Sequence, residues 1–107
     1  MNITELLTDL ASGTNAIVRS VASKFNLTAS QAFHLLLIPF DGIPISSLAN
    51  KLGLDNSTLT RNIQKLEKLD LVVRRADSYD RRVQRVVLTK NGTSILTSLE
   101  NHLDEIN

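Results

Sequence analysis

NSTLTRNIQKLEK, residues 56–68, closed by Leu69, is the stretch on which the reading of this 107-residue chain turns. Leu59, Ile63 and Leu66 recur at i, i+4 and i+7, the spacing of one helical face, and Asn56 followed by small hydroxyl residues supplies an N-cap. At about 100° per residue, the opposite face carries Ser57, Arg61, Gln64 and Lys68, with Thr58 and Lys65 at its border. No carboxylate falls on that face. Cationic and hydrogen-bonding side chains without acids suit a helix that lies against phosphates and base edges in a major groove. A charged outer face is also the default for any surface helix, so the flanking segments have to decide.

Upstream, Ser46 reads as the N-cap of a short helix over 47–52 whose Leu48, Ala49 and Leu52 point inward, and Gly53 stands where a left-handed residue ends a helix. Two helices joined by a tight turn, 53–55, the second with a basic outer face, form a helix-turn-helix. Downstream the periodicity changes. Leu71 to Arg75 and Val83 to Thr89 are β-branched and extended, and Ala76 to Arg82 between them is rich in Asp, Ser and Arg, which predicts a hairpin with a basic tip.

The outer segments read as helices. Asn2 and Glu5 have capping-box spacing, and Ile3, Leu6, Leu7, Leu10, Ile17, Val18, Val21 and Phe25 follow at helical intervals, predicting a helix over about 3–25 with a kink or break at Gly13. Thr28 and Gln31 repeat the capping box ahead of a second helix that ends near Ile38, before Pro39. Asp41-Gly42 is a turn signal, and Ile43-Pro44-Ile45 is at most a brief edge strand. Thr89 is placed to cap a last helix with the stripe Ile95, Leu96, Leu99, Leu103 and Ile106. That stripe has little to pack against in one small domain, and Asp104 and Glu105 oppose the helix dipole, so its end is expected to fray.

At 107 residues, 42% of them hydrophobic, the chain supports one modest core and leaves no room for a second domain. The net charge is only +1, yet residues 61–90 hold nine Lys or Arg against Glu67, Asp70, Asp77 and Asp80, so this segment is +5 and the remainder −4. Such asymmetry points to a polyanion facing one part of the molecule. The absence of cysteine excludes disulfides, thiol redox sensing and Cys-based zinc sites in this chain. With no long apolar run and no signal-peptide pattern, the reading is a soluble, cytoplasmic protein.

The order helix, helix, basic hairpin, helix over 46–92 resembles the winged helix-turn-helix of the MarR family of bacterial and archaeal transcriptional regulators. The residues that carry the likeness are Ser46 to Leu52 (SSLANKL), Ser57 to Arg61 (STLTR) with Leu66-Glu67, Leu71-Val72 with Arg74, Asp80-Arg81-Arg82, and Leu88-Thr89 with Gly92. The likeness extends over about 65 residues from Thr28 onward. It implies a mainly α fold with a small β-hairpin, and a homodimer on palindromic double-stranded DNA. Recognition helices would enter major grooves and wings the flanking minor grooves. Members often place a small-molecule effector pocket between their DNA-binding and dimer-forming parts. Repression by promoter occlusion is the commoner mode.

Carried onto this sequence, the resemblance makes Thr58, Thr60, Arg61, Gln64 and Lys65 helix readers, with Ser57 and Lys68 on the same outer face. Arg81 and Arg82 belong to the wing, and Asp80 would hold the wing by pairing with an arginine. The helical wheel puts Thr60 beside the core stripe. The chain then divides into a core, 28–88, with its wing at 71–89, and flanking helices, 1–25 and 89–107, that would form the dimer. Two departures stand out. Asp70 occupies a position where the family usually has Gly, and members normally continue with a further helix after the one that starts near Thr89.

Catalysis finds no support, since there is no glycine-rich phosphate loop or nucleophile elbow, and His34 and His102 have no partner at ligand spacing. The reading therefore carries no enzyme activity, cofactor or metal. The competing function is a winged helix used purely for protein–protein interaction, with Arg74, Arg75, Arg81 and Arg82 paired to Asp77 and Asp80.

Overall fold

A computed structural model describes residues 16–106. The order is α1 (Ala16–Ser23), α2 (Ala29–Leu36), β1 (Ile43–Pro44), α3 (Ile45–Leu52), α4 (Asn56–Lys68), β2 (Val72–Ala76), β3 (Gln84–Leu88) and α5 (Lys90–Ile106). This is a winged helix-turn-helix. The capping pair Asn2 and Glu5, the first helix before Ala16, the break at Gly13 and the side chain of Ile106 lie outside the described residues.

Each helix end has a local cause. Asn26, at φ 60°, ends the first helix, with its N–H donating to Ser23 O and Leu27 N–H to Ala22 O, both at 3.1 Å. Asn is among the few residues that adopt this left-handed turn readily. The capping box at α2 is formed as its spacing predicts, with Thr28 Oγ1 accepting from Gln31 N–H and Gln31 Oε1 accepting from Thr28 N–H. Gly53, at φ 69°, ends α3. Asp70 ends α4 at φ 59°, with Asp70 N–H bonded to Glu67 O and Leu71 N–H to Leu66 O, both at 3.0 Å. The aspartate therefore takes the left-handed conformation that a glycine would adopt more cheaply.

Three expectations about helix ends need correction. Asn56 is not the N-cap of α4; Asp55 is, and its Oδ1 accepts the Thr58 N–H at 2.7 Å. Both residue types cap well, but only the aspartate also brings a negative charge to the positive end of the helix. Ser46 does not cap α3, which starts at Ile45 after an extended Pro44 and has no side-chain cap. Pairing of Ile43-Pro44 with β3 holds the chain extended up to the proline, so the helix begins directly after it. Lastly, α5 runs on through Asp104 and Glu105 to Ile106. Both acids are exposed, where water weakens the dipole penalty.

The sheet has strand order β1-β3-β2 and is antiparallel throughout. Pro44 thus lies on an edge strand, where a missing N–H costs no ladder bond. The hairpin register pairs Val72 with Leu88 and Ala76 with Gln84. Gly42, at φ 86°, lies so close to β3 that a Cβ there would come within 2.8 Å of Val86 O.

Leu35, Leu48, Leu59, Ile63, Leu66, Leu71, Val72, Val86 and Leu99 are the largest fully buried side chains, drawn from α2, α3, α4, the turn after α4, the sheet and α5. Burial of each contributes about 1.5–3 kcal/mol. Leu96 and Leu99 are buried within this core, and α5 packs on α1 and α2. The last stripe therefore has partners inside the domain, contrary to the sequence expectation. Thr89 Oγ1 caps α5 by accepting from Gly92 N–H at 2.9 Å and itself donates to Asp70 O at 2.6 Å. Gly92 has no room for a side chain, since a Cβ would overlap the Leu71 carbonyl.

Candidate nucleic-acid interface

α4 is seated by Leu59, Ile63 and Leu66, all at 0% exposure, which turns the opposite face to solvent. Ser57, Arg61, Gln64, Lys65 and Lys68 are exposed on it, whereas Thr58 and Thr60 are half-buried at its margins. Thr58 is already engaged, because its hydroxyl donates to Asp55 Oδ2 at 3.0 Å and accepts from an Arg61 terminal nitrogen at 3.4 Å. The hydrogen bonds from Thr58 hold the Asp55 carboxyl below the usual carboxylate range. Arg61 is thus tethered at the N-terminal half of the helix, beside an ionised cap.

The remaining acid of this helix is neutralised locally. Glu67 pairs with Arg74 Nε at 3.1 Å, across to β2. Arg74 is therefore a structural cation. Among the described residues Arg75 and Arg81 are exposed and make no ion pair.

The wing is held by two aspartates with different tasks. Asp80 Oδ1 accepts from the Arg82 N–H at 3.0 Å and Nε at 3.1 Å, while Oδ2 accepts from the other end of the same guanidinium at 3.1 Å. The arginine that pairs with Asp80 is thus the one expected to face DNA, and its side chain stays 90% exposed. This pairing lowers the Asp80 pKa and raises that of Arg82.

The sequence offers Asp77 only as a partner for Arg74, Arg75, Arg81 or Arg82, whereas the structure pairs it with Arg85 and folds the tip onto it. Its Oδ2 accepts the backbone N–H groups of Tyr79 and Asp80, both at 2.9 Å, and its Oδ1 accepts from Arg85 at 3.1 Å. Arg85 donates onward to Gly42 O at 3.0 Å. The two backbone bonds, and then Arg85, depress the Asp77 pKa. The signal available was an Asp two residues before a polar turn, which commonly folds the following backbone onto its own carboxylate. Tyr79, at 98% exposure, projects from this turn.

His34, 3% exposed, accounts for the buried polar side chain of the core. Its Nδ1–H donates to Ser30 O at 2.6 Å and its Nε2 accepts from Asn62 Nδ2 at 3.1 Å. This fixes a neutral tautomer and ties α2 to the flank of α4. Burial holds the imidazole pKa below its ordinary value. Asn62, half-buried between the two faces of α4, is a residue that sequence reasoning missed. Among the described residues no cluster of three or more His, Asp or Glu is placed to hold a metal ion, and no helix is long and apolar enough to cross a membrane.

The family model described as MarR matches residues 27–83. Over 88 residues the chain is 31% identical to the HTH-type transcriptional regulator MgrA of Staphylococcus aureus, which takes in 80% of this chain and 59% of that protein. SarZ, another HTH-type transcriptional regulator from Staphylococcus aureus strain USA300, is 35% identical over 77 residues, 71% of this chain and 52% of SarZ. The chain thus spans a little over half the length of these curated relatives. Among solved structures, a MarR transcriptional regulator from Methanosarcina mazei Go1 superposes with a TM-score of 0.74 at 27% identity, covering 96% of this chain and 75% of that one. A mutant MarR from E. coli complexed with operator DNA has the same fold, with a TM-score of 0.76 at 24% identity over 94% of this chain and 73% of that one.

Proposed function

The chain belongs to the MarR family, and from that premise we propose that it is a transcriptional regulator that binds double-stranded DNA through α4 and the β2–β3 wing. The observation that carries this reading is the pairing pattern. Of the acids nearest the two elements, Asp55 is committed to the α4 cap, Glu67 to Arg74, Asp77 to Arg85 and Asp80 to Arg82, and among the described residues Asp70, in the turn between α4 and β2, makes no ion pair. Arg61, Lys65, Lys68, Arg75 and Arg81 are left outside these ion pairs, and such cations can neutralise phosphates and release their counterions.

In this reading α4 lies in a major groove. Gln64 suits an adenine edge and Arg61 a guanine edge or a phosphate, while Lys65 and Lys68 take phosphates. Ser57 and Thr58 sit at the helix N-terminus, where backbone contacts are made, and half-buried Thr60 contacts DNA through its edge alone. Arg81 and Arg82 enter a minor groove, whose degenerate pattern is read mainly by width and potential. The flanking segments, 1–25 and 89–107, associate two copies, so the operator is palindromic. Regulation is by promoter occlusion in the cytoplasm, with a small effector as a further partner.

Fluorescence anisotropy of the chain with duplex DNA, titrated from low to moderate salt, tests the reading. The expected result is a log K that falls with log salt by roughly 0.9 per phosphate contacted. Absence of binding, or binding without a salt slope, would overturn it.

A further inference from the structure

Arg85 stands at the root of the wing. β1 pairs with β3 only at Ile43–Val86 and Pro44–Arg85, so beyond Arg85 the hairpin leaves the three-stranded sheet as a two-stranded ribbon. Such a ribbon is marginally stable in water by itself and twists freely. The bridge Asp77–Arg85–Gly42 lies across this root. On one side the carboxylate gathers the Tyr79 and Asp80 N–H groups of the tip, and on the other Arg85 reaches a carbonyl 43 residues away. That carbonyl is itself fixed, because Gly42 is wedged under β3 and its N–H is bonded to Pro39 O at 2.9 Å. Asp77 and Arg85 keep side-chain exposures of only 14% and 26%, against 90% for Arg82. A charge-assisted pair that is largely shielded from water and hydrogen-bonded at both ends holds its geometry better than an exposed one.

We infer that Asp77 and Arg85 are the positioning residues of the wing: they set its inclination to α4, and so the spacing between the major-groove and minor-groove contacts, while Asp80 orders only Arg82, through its backbone N–H and its guanidinium. The inference rests on the DNA-binding reading above. It predicts a sign opposite to simple electrostatics. Removing the Asp77 charge and freeing Arg85 makes the wing more cationic, which would tighten binding if the acid merely repelled phosphate.

The test compares wild type with Asp77→Ala, Asp77→Asn, Arg85→Gln and the double variant Asp77→Asn/Arg85→Gln. Anisotropy measures duplex affinity, hydroxyl-radical footprinting reads the flanking minor groove, and guanine-methylation protection reads the central major groove. Amide exchange of Tyr79 and Asp80 in the free protein reports the turn itself. Asp77→Ala is expected to bind about tenfold more weakly, to expose the two amides and to lose the flanking footprint while keeping central protection. Asp77→Asn and Arg85→Gln should each weaken binding, and the double variant should be no worse than the weaker single one, since they break the same bridge. Should Asp77→Ala unfold, the two milder variants decide.

Unchanged or tighter binding by Asp77→Asn and Arg85→Gln, with the flanking footprint intact, overturns the inference and leaves the DNA-binding reading standing. Wild type that fails to bind duplex at all overturns both.

Discussion

Arg61 leaves α4 opposite the Leu59, Ile63, Leu66 stripe and rests 3.4 Å from the Thr58 hydroxyl, a contact long enough to be exchanged for a better acceptor. Arg61→Ala is expected to cost about 1–3 kcal/mol of DNA binding, concentrated on one or two base positions if the guanidinium reads a guanine edge. Binding to a panel of single-base operator variants would show this as a local loss of discrimination. Arg82→Ala should behave differently, weakening many sequences alike and making the salt slope shallower. Asp80→Ala should weaken binding too, because it releases Arg82 from an ordered pose, and less than Asp77→Ala because no bond from Asp80 reaches beyond the tip. Tighter binding by Asp80→Ala, in anisotropy at fixed salt, would contradict the ordering role.

The contact between α2 and α4 passes through His34, whose tautomer is set by Ser30 O on one side and Asn62 on the other. Its pKa is lowered in the folded state because burial disfavours the imidazolium. The unfolded chain accordingly takes up a proton near the ordinary value of 6.5 while the folded chain still resists it. The stabilisation is therefore complete above that pH and is lost as pH falls toward the depressed folded pKa. Asp55, Asp77 and Asp80, with lowered pKa values, lose their contributions only in a separate window below 3.8. Thermal melts should show stability decline between neutral pH and about pH 5, and His34→Gln should flatten that decline at the expense of stability at neutral pH. A wild-type melting temperature that is level across this range would refute the linkage. At the other end of α4, Asp70→Gly should stabilise the domain by up to about 1 kcal/mol by relieving a left-handed non-glycine residue, which denaturant melts can read.

The molecule's charge is arranged to match its architecture, with +5 over residues 61–90, the segment from Arg61 of α4 to the start of α5. The proposed assembly would use the flanking segments instead. Leu99 and Leu96 are core residues, so acids there would break the domain rather than report on dimerisation. Ile17, 46% exposed on α1, is the better probe. We expect light scattering at concentrations on the order of tens of micromolar to give a dimer that Ile17→Glu weakens. Wild type that stays monomeric both alone and with a palindromic duplex would refute the dimer.

By itself the sequence determined the succession of elements from Thr28 to the start of the last helix, since apolar periodicity, the Thr28–Gln31 box, Gly53 and Thr89 are signals carried within a turn or two of chain. It also determined which face of α4 meets solvent, because Leu59, Ile63 and Leu66 leave a helix only one way to be buried. Where two cap-competent residues adjoin, as at Asp55 and Asn56, or a strand runs directly into a helix, as at Pro44 and Ile45, local pattern does not discriminate, and pairing with β3 and the geometry of the turn decided. The burial of Leu96 and Leu99, the His34–Asn62 clamp across 28 residues and the Arg85–Gly42 bond across 43 were decided by tertiary structure alone. Each depends on segments brought together by the whole core, and a hydrogen bond between distant residues leaves no periodicity in the chain to be read.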